Sequence, residues 1–267
     1  MLLAIDVGNT QSVLGLYQDQ ELIGEWRVST QPHRTADEMG TLIHSLFRHR
    51  ALLKDGLKVI DGAILSSVVP SITQTFRQMV KLYCDAPCLT VGADTDTGMP
   101  ILYDHPKEVG ADRIVNAVSA YHQWSQALIV IDFGTATTFD VVSPQGEYLG
   151  GAIFPGIGIS SEALFMNAAR LPRVELSPPP SVIGKNTVHS IQSGLIYGYI
   201  AMVDGITKRM KNELEQGSTQ EPLVIATGGL APLIFEHSAE INHLAPRLTL
   251  EGLRLIYQRN REKLQAH

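Results

Sequence analysis

The sequence predicts an α/β protein built from two similar domains, and three observations lead there. Strand-length apolar runs alternate with helical patterns along the chain, which favours mixed sheets flanked by helices. A strand–turn–strand unit occurs twice, at Leu2–Tyr17 and again at Leu128–Val142, and a repeated unit of this kind implies a repeated domain. The chain has 267 residues, 44% of them hydrophobic, enough to core one large domain or two modest ones. The repeat decides for two facing domains, 1–118 and 119–267.

Composition then narrows the function classes. The net charge is −6 with no block of lysines or arginines, which argues against a nucleic-acid surface. The N-terminus has no basic region and reaches Asp6 directly, unlike a secretory leader, and no apolar run approaches the roughly 18 residues of a membrane span. A cytoplasmic protein is expected, with neither nucleic acid nor membrane as partner. The two cysteines, Cys84 and Cys88, are too few for a disulfide framework and lack metal-binding company, so they read as structural.

The first repeat carries chemistry in its turn. Leu2–Ile5 runs into Asp6, Val7, Gly8, Asn9, Thr10, Gln11 and Ser12, and Val13–Tyr17 resumes the apolar pattern. Gly8 lets backbone approach a ligand, Thr10 and Ser12 add hydroxyls, and successive N–H groups can cradle a phosphate. Asp6, ending a buried strand, is costly to leave unpaired. A hydrated Mg²⁺ bridging to phosphates would answer that cost; an ordinary tight turn with a capping Asp fits the same residues.

The second repeat places Asp132, Gly134, Thr135, Thr137 and Thr138 on the same plan. Two acidic turns facing each other repel unless cations sit with them, which suggests separate ions. Asp140, after Phe139, begins the next strand and suits either a structural hydrogen bond or a catalytic role. A third glycine turn, Ala226–Ala231, follows an apolar run and precedes a helix; it suits the nucleoside end of a ligand.

Elsewhere the pattern is mostly scaffold. Each hairpin continues into a third strand, Glu21–Val28 and Glu147–Ile153. Met39, Leu42, Ile43, Leu46 and Phe47 recur at helical spacing between Ala36 and Arg50, while His44 and His49 read as surface. Gly62–Pro70 is a buried strand whose Ser66 and Ser67 either close a turn or approach a ligand, and Ser71–Tyr83 is a helix. Tyr103–Pro106 is a loop, because proline disfavours helix before it. Gly110, Ala111, Asp112 and Arg113 then open a helix. A carboxylate in a first turn can accept a hydroxyl proton, and Arg113 offers a planar fork for a carboxylate; a capping Asp with a surface Arg is the plainer alternative. Gly150–Phe165 runs from strand through a glycine-rich turn into a helix, without the lysine of a Walker A loop. The prolines of Ser177–Thr187 favour an extended surface loop. Thr187 reads as the N-cap of a helix to Leu214, with Gly194 and Gly198 suited to close packing at a subunit contact. Residues 217–222 read as a polar turn, and a charged helix from Leu250 closes the chain.

The paired D-x-G-[NT] hairpins and the late glycine pair resemble the superfamily of actin, sugar kinases and heat-shock chaperone ATPases. DVGNT, YDHPKEVGADR, IDFGTATTFD, GGAIFPGIG and IGKNTVHSIQSG, in that order over most of the chain, resemble type III pantothenate kinase more specifically. The resemblance implies two ribonuclease-H-like domains holding ATP between them, and ATP-dependent phosphorylation of pantothenate, the first step of coenzyme A biosynthesis. It implies that the stretch from Asp6 to Val13, together with Thr135, binds ATP. Asp112 becomes the general base, and Tyr103, Gly110, Ala111, Arg113 and Thr187 contact pantothenate. Asp132 takes a monovalent cation, K⁺ or NH₄⁺, Asp6 is the candidate for Mg²⁺, and the long helix enters a homodimer interface. Gln11 departs from the asparagine often found after D-x-G-N-T in the family. Two other functions fit parts of the pattern: a kinase for another small hydroxyl compound, and a nucleotide-sensing accessory protein in gene regulation.

Overall fold

The computed structural model describes residues 1–49, 56–214 and 221–265. The expected helix end at Arg50 and most of the polar turn at 217–222 lie outside them. The chain clusters into two compact units. The first comprises Met1–Met99, Asp104–Ser119 and the segment from Leu248 onward; the second comprises Pro100–Tyr103 and Ala120–Arg247.

The first unit is organised on β1 (Leu2–Val7), β2 (Gln11–Gln18), β3 (Glu21–Ser29), β4 (Gly62–Ser67) and β5 (Cys88–Thr90), in the order β3-β2-β1-β4-β5. The first three strands are antiparallel neighbours, whereas β4 and β5 join in parallel. Alternation sorts their side chains. Leu3, Ile5, Val7, Ala63 and Leu65 share a core with Met39, Ile43 and Phe47 of α1 (Ala36–His49) and with Ile72, Phe76 and Met79 of α2 (Pro70–Met79). Leu2, Ala4 and Ile64 point the other way. They pack with Val115 of α3 (Ala111–Trp124) and with Leu250, Leu253 and Ile256, which belong to the terminal helix Leu248–Gln265. α1 begins in a reciprocal capping box: the Thr35 N–H donates to Glu38 Oε2 at 2.8 Å and the Glu38 N–H to Thr35 Oγ1 at 3.3 Å.

The second unit repeats this sheet. Its strands β6 (Leu128–Phe133), β7 (Ala136–Val142), β8 (Tyr148–Pro155), β9 (Leu223–Thr227) and β10 (His243–Leu244) run in the order β10-β9-β6-β7-β8 with the same parallel and antiparallel pairings. Even the irregularity is copied: a bulge falls between Leu16 and Tyr17 in one sheet and between Val141 and Val142 in the other. One face carries Ile129, Ile131, Phe133, Val224 and Ala226, covered by Leu195, Ile196, Tyr199 and Val203 of a helix spanning Thr187–Leu214 and by Ala231 and Ile234 of another at Ala231–Phe235. In chain order the remaining helices are α4 (Ile157–Asn167), α5 (Thr187–Leu214), α6 (Ala231–Phe235) and α7 (Leu248–Gln265). This doubled mixed sheet flanked by helices is the ribonuclease-H-like architecture expected above.

Some boundaries differ from expectation. The helix expected over Ser71–Tyr83 is α up to Met79 and then widens into a π-helical turn, Val80–Cys84, closed by Asp85 in the left-handed region (φ 55°). Asp140 lies inside β7 rather than at its start. The N-cap of α5 is Asn186, not Thr187: Asn186 Oδ1 accepts the His189 N–H at 2.9 Å, and Thr187 is already helical.

Candidate active site

In the first unit the site starts from the β1–β2 turn. Gly8 N–H donates to the Gln11 carbonyl at 3.0 Å, closing the hairpin, and Asn9, Thr10 and Gln11 are exposed at its tip. Thr30, just beyond β3, braces it from outside. Its hydroxyl donates to the Gly8 carbonyl at 2.8 Å and its N–H to the Thr10 carbonyl at 3.0 Å. With the Thr30 proton committed to Gly8, the buried Ser12 hydroxyl donates to Thr30 Oγ1 at 2.9 Å. Ser12 therefore supports the turn from beneath. Thr30 escaped the sequence reading, since a threonine in a polar stretch has no distinguishing pattern; only the sheet brings it to the turn.

Asp6 ends the buried run of β1 and is half-buried. It pairs with Val13 on one side and, on the parallel side, with Ser66 of β4. The same sheet face bears the apolar cluster that Ala111 and Val115 of α3 join, so Asp112 opens a helix laid on that face. Asp112 Oδ1 accepts the Arg113 N–H at 2.9 Å. A carboxylate at a helix N-terminus is favoured in its charged form. Arg113 is buried, 8% exposed, which removes the surface-Arg alternative. Gly110 keeps the entry narrow, because a β-carbon there would lie 2.6 Å from Asp112 Oδ1.

In the second unit, two glycine turns converge on the β6–β7 hairpin. Asp132 pairs with Thr138 and, in parallel, with Thr227. Gly228 takes φ +93°, and a β-carbon on it would lie 2.5 Å from Asp132 Oδ1 and 2.7 Å from the Phe133 backbone. The turn Ala226–Ala231 thus closes on Asp132, which spacing alone did not reveal. Gly156, the N-cap of α4, lies against the carbonyls of Gly134 and Thr135, and its N–H donates to Thr135 at 3.1 Å. Thr135 is therefore held beside the N-terminal end of a helix, whose unpaired N–H groups suit an anion.

Tyr103 belongs to this unit although Asp104 and Asp112 cluster with the other. Its segment is fastened to Tyr148 through Tyr148 N–H to the Pro100 carbonyl (2.9 Å) and Leu102 N–H to the Tyr148 carbonyl (2.8 Å). The Tyr103 and Tyr148 rings lie 6.4 Å apart. Asp140 is fully buried and accepts the Tyr148 hydroxyl at 2.8 Å and the Thr138 hydroxyl at 3.1 Å, the structural of its two readings. Thr187 borders a groove of about 650 Å³ with Leu164, Lys185, Asn186, Ser190 and Gly194.

Among the described residues no three His, Cys, Asp or Glu side chains cluster to cage a metal. Each hairpin instead offers one carboxylate with hydroxyl neighbours: Ser66 beside Asp6, and Thr138 and Thr227 beside Asp132. Oxygen-only sets with few protein ligands fit a hard cation that completes its shell with water and substrate oxygens. No helix among the described residues is long and apolar enough to cross a membrane.

Comparison with known proteins gives a consistent result. The family model described as type III pantothenate kinase matches residues 2–209. The type III pantothenate kinase of Myxococcus xanthus (strain DK1622) is 56% identical over 260 residues, covering 97% of this chain and 99% of that protein. That of Geotalea uraniireducens (strain Rf4) is 54% identical, covering 98% and 100%. Among solved structures, a protein of Campylobacter jejuni assigned to the Baf family of transcriptional activators has a TM-score of 0.59 at 15% identity, covering 97% of this chain and 99% of that one. The ethanolamine utilization protein EutJ from Carboxydothermus hydrogenoformans has a TM-score of 0.56 at 14% identity, with 95% and 89% covered. These two likenesses concern the fold alone.

Proposed function

The chain belongs to the type III pantothenate kinase family, and on that footing we propose that it transfers the γ-phosphoryl group of ATP to the primary hydroxyl of pantothenate, giving 4′-phosphopantothenate for coenzyme A biosynthesis. The observation that carries the reading is near-full-length identity above half to proteins of that name, with a carboxylate, Asp112, at a helix start on the same sheet face as Asp6.

The residue roles follow from what each can do. Backbone N–H groups of the first hairpin, Asp6 to Val13, and the turn at Thr135 take the ATP phosphates. Asp112 accepts the proton of the pantothenate hydroxyl as that oxygen bonds to the γ-phosphorus. The bond from γ-phosphorus to the bridging oxygen breaks, and ADP leaves with the electron pair. Buried Arg113, with Gly110 and Ala111 at its helix entry, orients the acceptor through its carboxylate; Tyr103 and Thr187 fix its remainder. Asp6 would hold Mg²⁺ and Asp132 a monovalent cation, K⁺ or NH₄⁺. When bound, these ions neutralise charge on the phosphates. We place the enzyme in the cytoplasm as a homodimer. Support for the dimer comes from α5, where a β-carbon at Gly194, Gly198 or Gly205 would meet nothing within 4 Å.

ADP release by the purified protein, with MgATP and with or without pantothenate, in potassium and then sodium buffer, tests this. Turnover should require pantothenate and fall in sodium. ATP binding without pantothenate-dependent turnover in either buffer would overturn the reaction and favour a nucleotide sensor or another acceptor.

A further inference from the structure

β4 ends in two serines with opposite fates. Ser67 closes a local network: Thr73 Oγ1 donates to its hydroxyl at 2.7 Å, its own hydroxyl reaches the Val69 carbonyl at 3.3 Å, and the Val69 N–H returns at 3.1 Å. Ser66 is fully buried, and among the described residues its hydroxyl has no hydrogen-bond partner. Buried hydroxyls are nearly always paired, because losing water without replacement is costly. An orphan of this kind in a working protein points to a ligand.

Its position says which ligand. Ser66 is the register partner of Asp6 on the neighbouring parallel strand, so the two side chains stand on one sheet face, with strand axes about 4.8 Å apart. Leu2, Ala4 and Ile64 occupy that face below them, packed against Val115, Leu250 and Leu253. The apolar floor stops at the Asp6–Ser66 level, and there the face carries oxygen atoms. We propose that the Ser66 hydroxyl is a binding group for the hydrated divalent cation carried by the nucleotide at Asp6, accepting a hydrogen bond from one of the cation's water ligands. Mg²⁺ retains several waters, and each is a strong donor in need of an acceptor. The inference rests on Asp6 as the metal-side carboxylate.

The test is calorimetric titration of ADP into the full chain, with and without Mg²⁺, alongside the melting temperature of the ligand-free protein. Ser66→Ala should weaken MgADP binding by about fivefold, the size of one ordinary hydrogen bond, leave metal-free ADP binding unchanged, and leave the ligand-free melting temperature level or higher. Unchanged MgADP affinity, or a lower melting temperature without ligand, would overturn the proposal, the second because the hydroxyl would then serve the fold. Asp6→Asn separates the two readings. If Asp6→Asn abolishes the Mg²⁺ dependence and Ser66→Ala does nothing, only the Ser66 inference fails; if Asp6→Asn leaves that dependence intact, the Asp6 reading falls and takes this one with it.

Discussion

Asp6 and Asp132 hold the same place in two copies of one sheet. Each is the fifth residue of a strand whose burial pattern is otherwise closed, and each is flanked on the parallel side by a hydroxyl residue, Ser66 or Thr227. Their immediate neighbours differ. Asp132 has Gly228 pressed against its carboxylate and Gly156 against the adjoining turn, whereas the Asp6 turn is braced by Thr30; both turns are exposed at their tips. A duplicated carboxylate has thereby acquired two different sets of neighbours.

Asp112→Asn is the direct probe of the chemistry. The amide can still accept the Arg113 N–H that Asp112 receives, so the helix start survives, but it cannot take a proton. kcat should fall by about 10²–10⁴-fold with KM for both substrates little changed. A variant that binds both substrates and turns over at the native rate would remove Asp112 from the mechanism.

Thr30→Val keeps the β-branched shape and deletes the hydroxyl that donates to Gly8 and receives from Ser12. The cost should be about 1–3 kcal/mol, because the Ser12 hydroxyl is left buried without its acceptor. Loosening the turn should also weaken ATP binding several-fold while leaving KM for pantothenate unchanged. Melting curves and nucleotide titration read the two effects separately, and equal loss for both substrates would show that Thr30 serves the unit as a whole.

The cysteines predict a pH dependence. Burial pushes both the Cys84 and Cys88 thiols from 9.0 up to about 11. Folding thus favours the protonated thiols. Their contribution is complete below the unfolded value near 9 and declines as the pH rises toward 11. At pH 8 the folded chain should hold ~100-fold less thiolate than the unfolded chain, so iodoacetamide should label it slowly in buffer and quickly in denaturant. Rapid native labelling at pH 8 would contradict this environment.

Local pattern was enough for the architecture. Short continuous apolar runs ending in Asp6 and Asp132 fix two strands and their hairpins, because strand-length apolar runs and turn chemistry act over a few residues. The glycine turn before α4 and the helix start at Asp112 were readable for the same reason. Tertiary structure alone decided the neighbours. Ser66 comes beside Asp6 through a parallel crossover, Gly228 beside Asp132 through another, and Thr30 under Gly8 through the third strand. Asn186 took the cap from Thr187 because capping depends on which side chain meets the free N–H groups, and both residue types suit the place. The terminal helix clusters with the first unit, where Leu250 and Leu253 complete its core. Pairings across long stretches of chain depend on how whole faces are buried, and no local spacing encodes that.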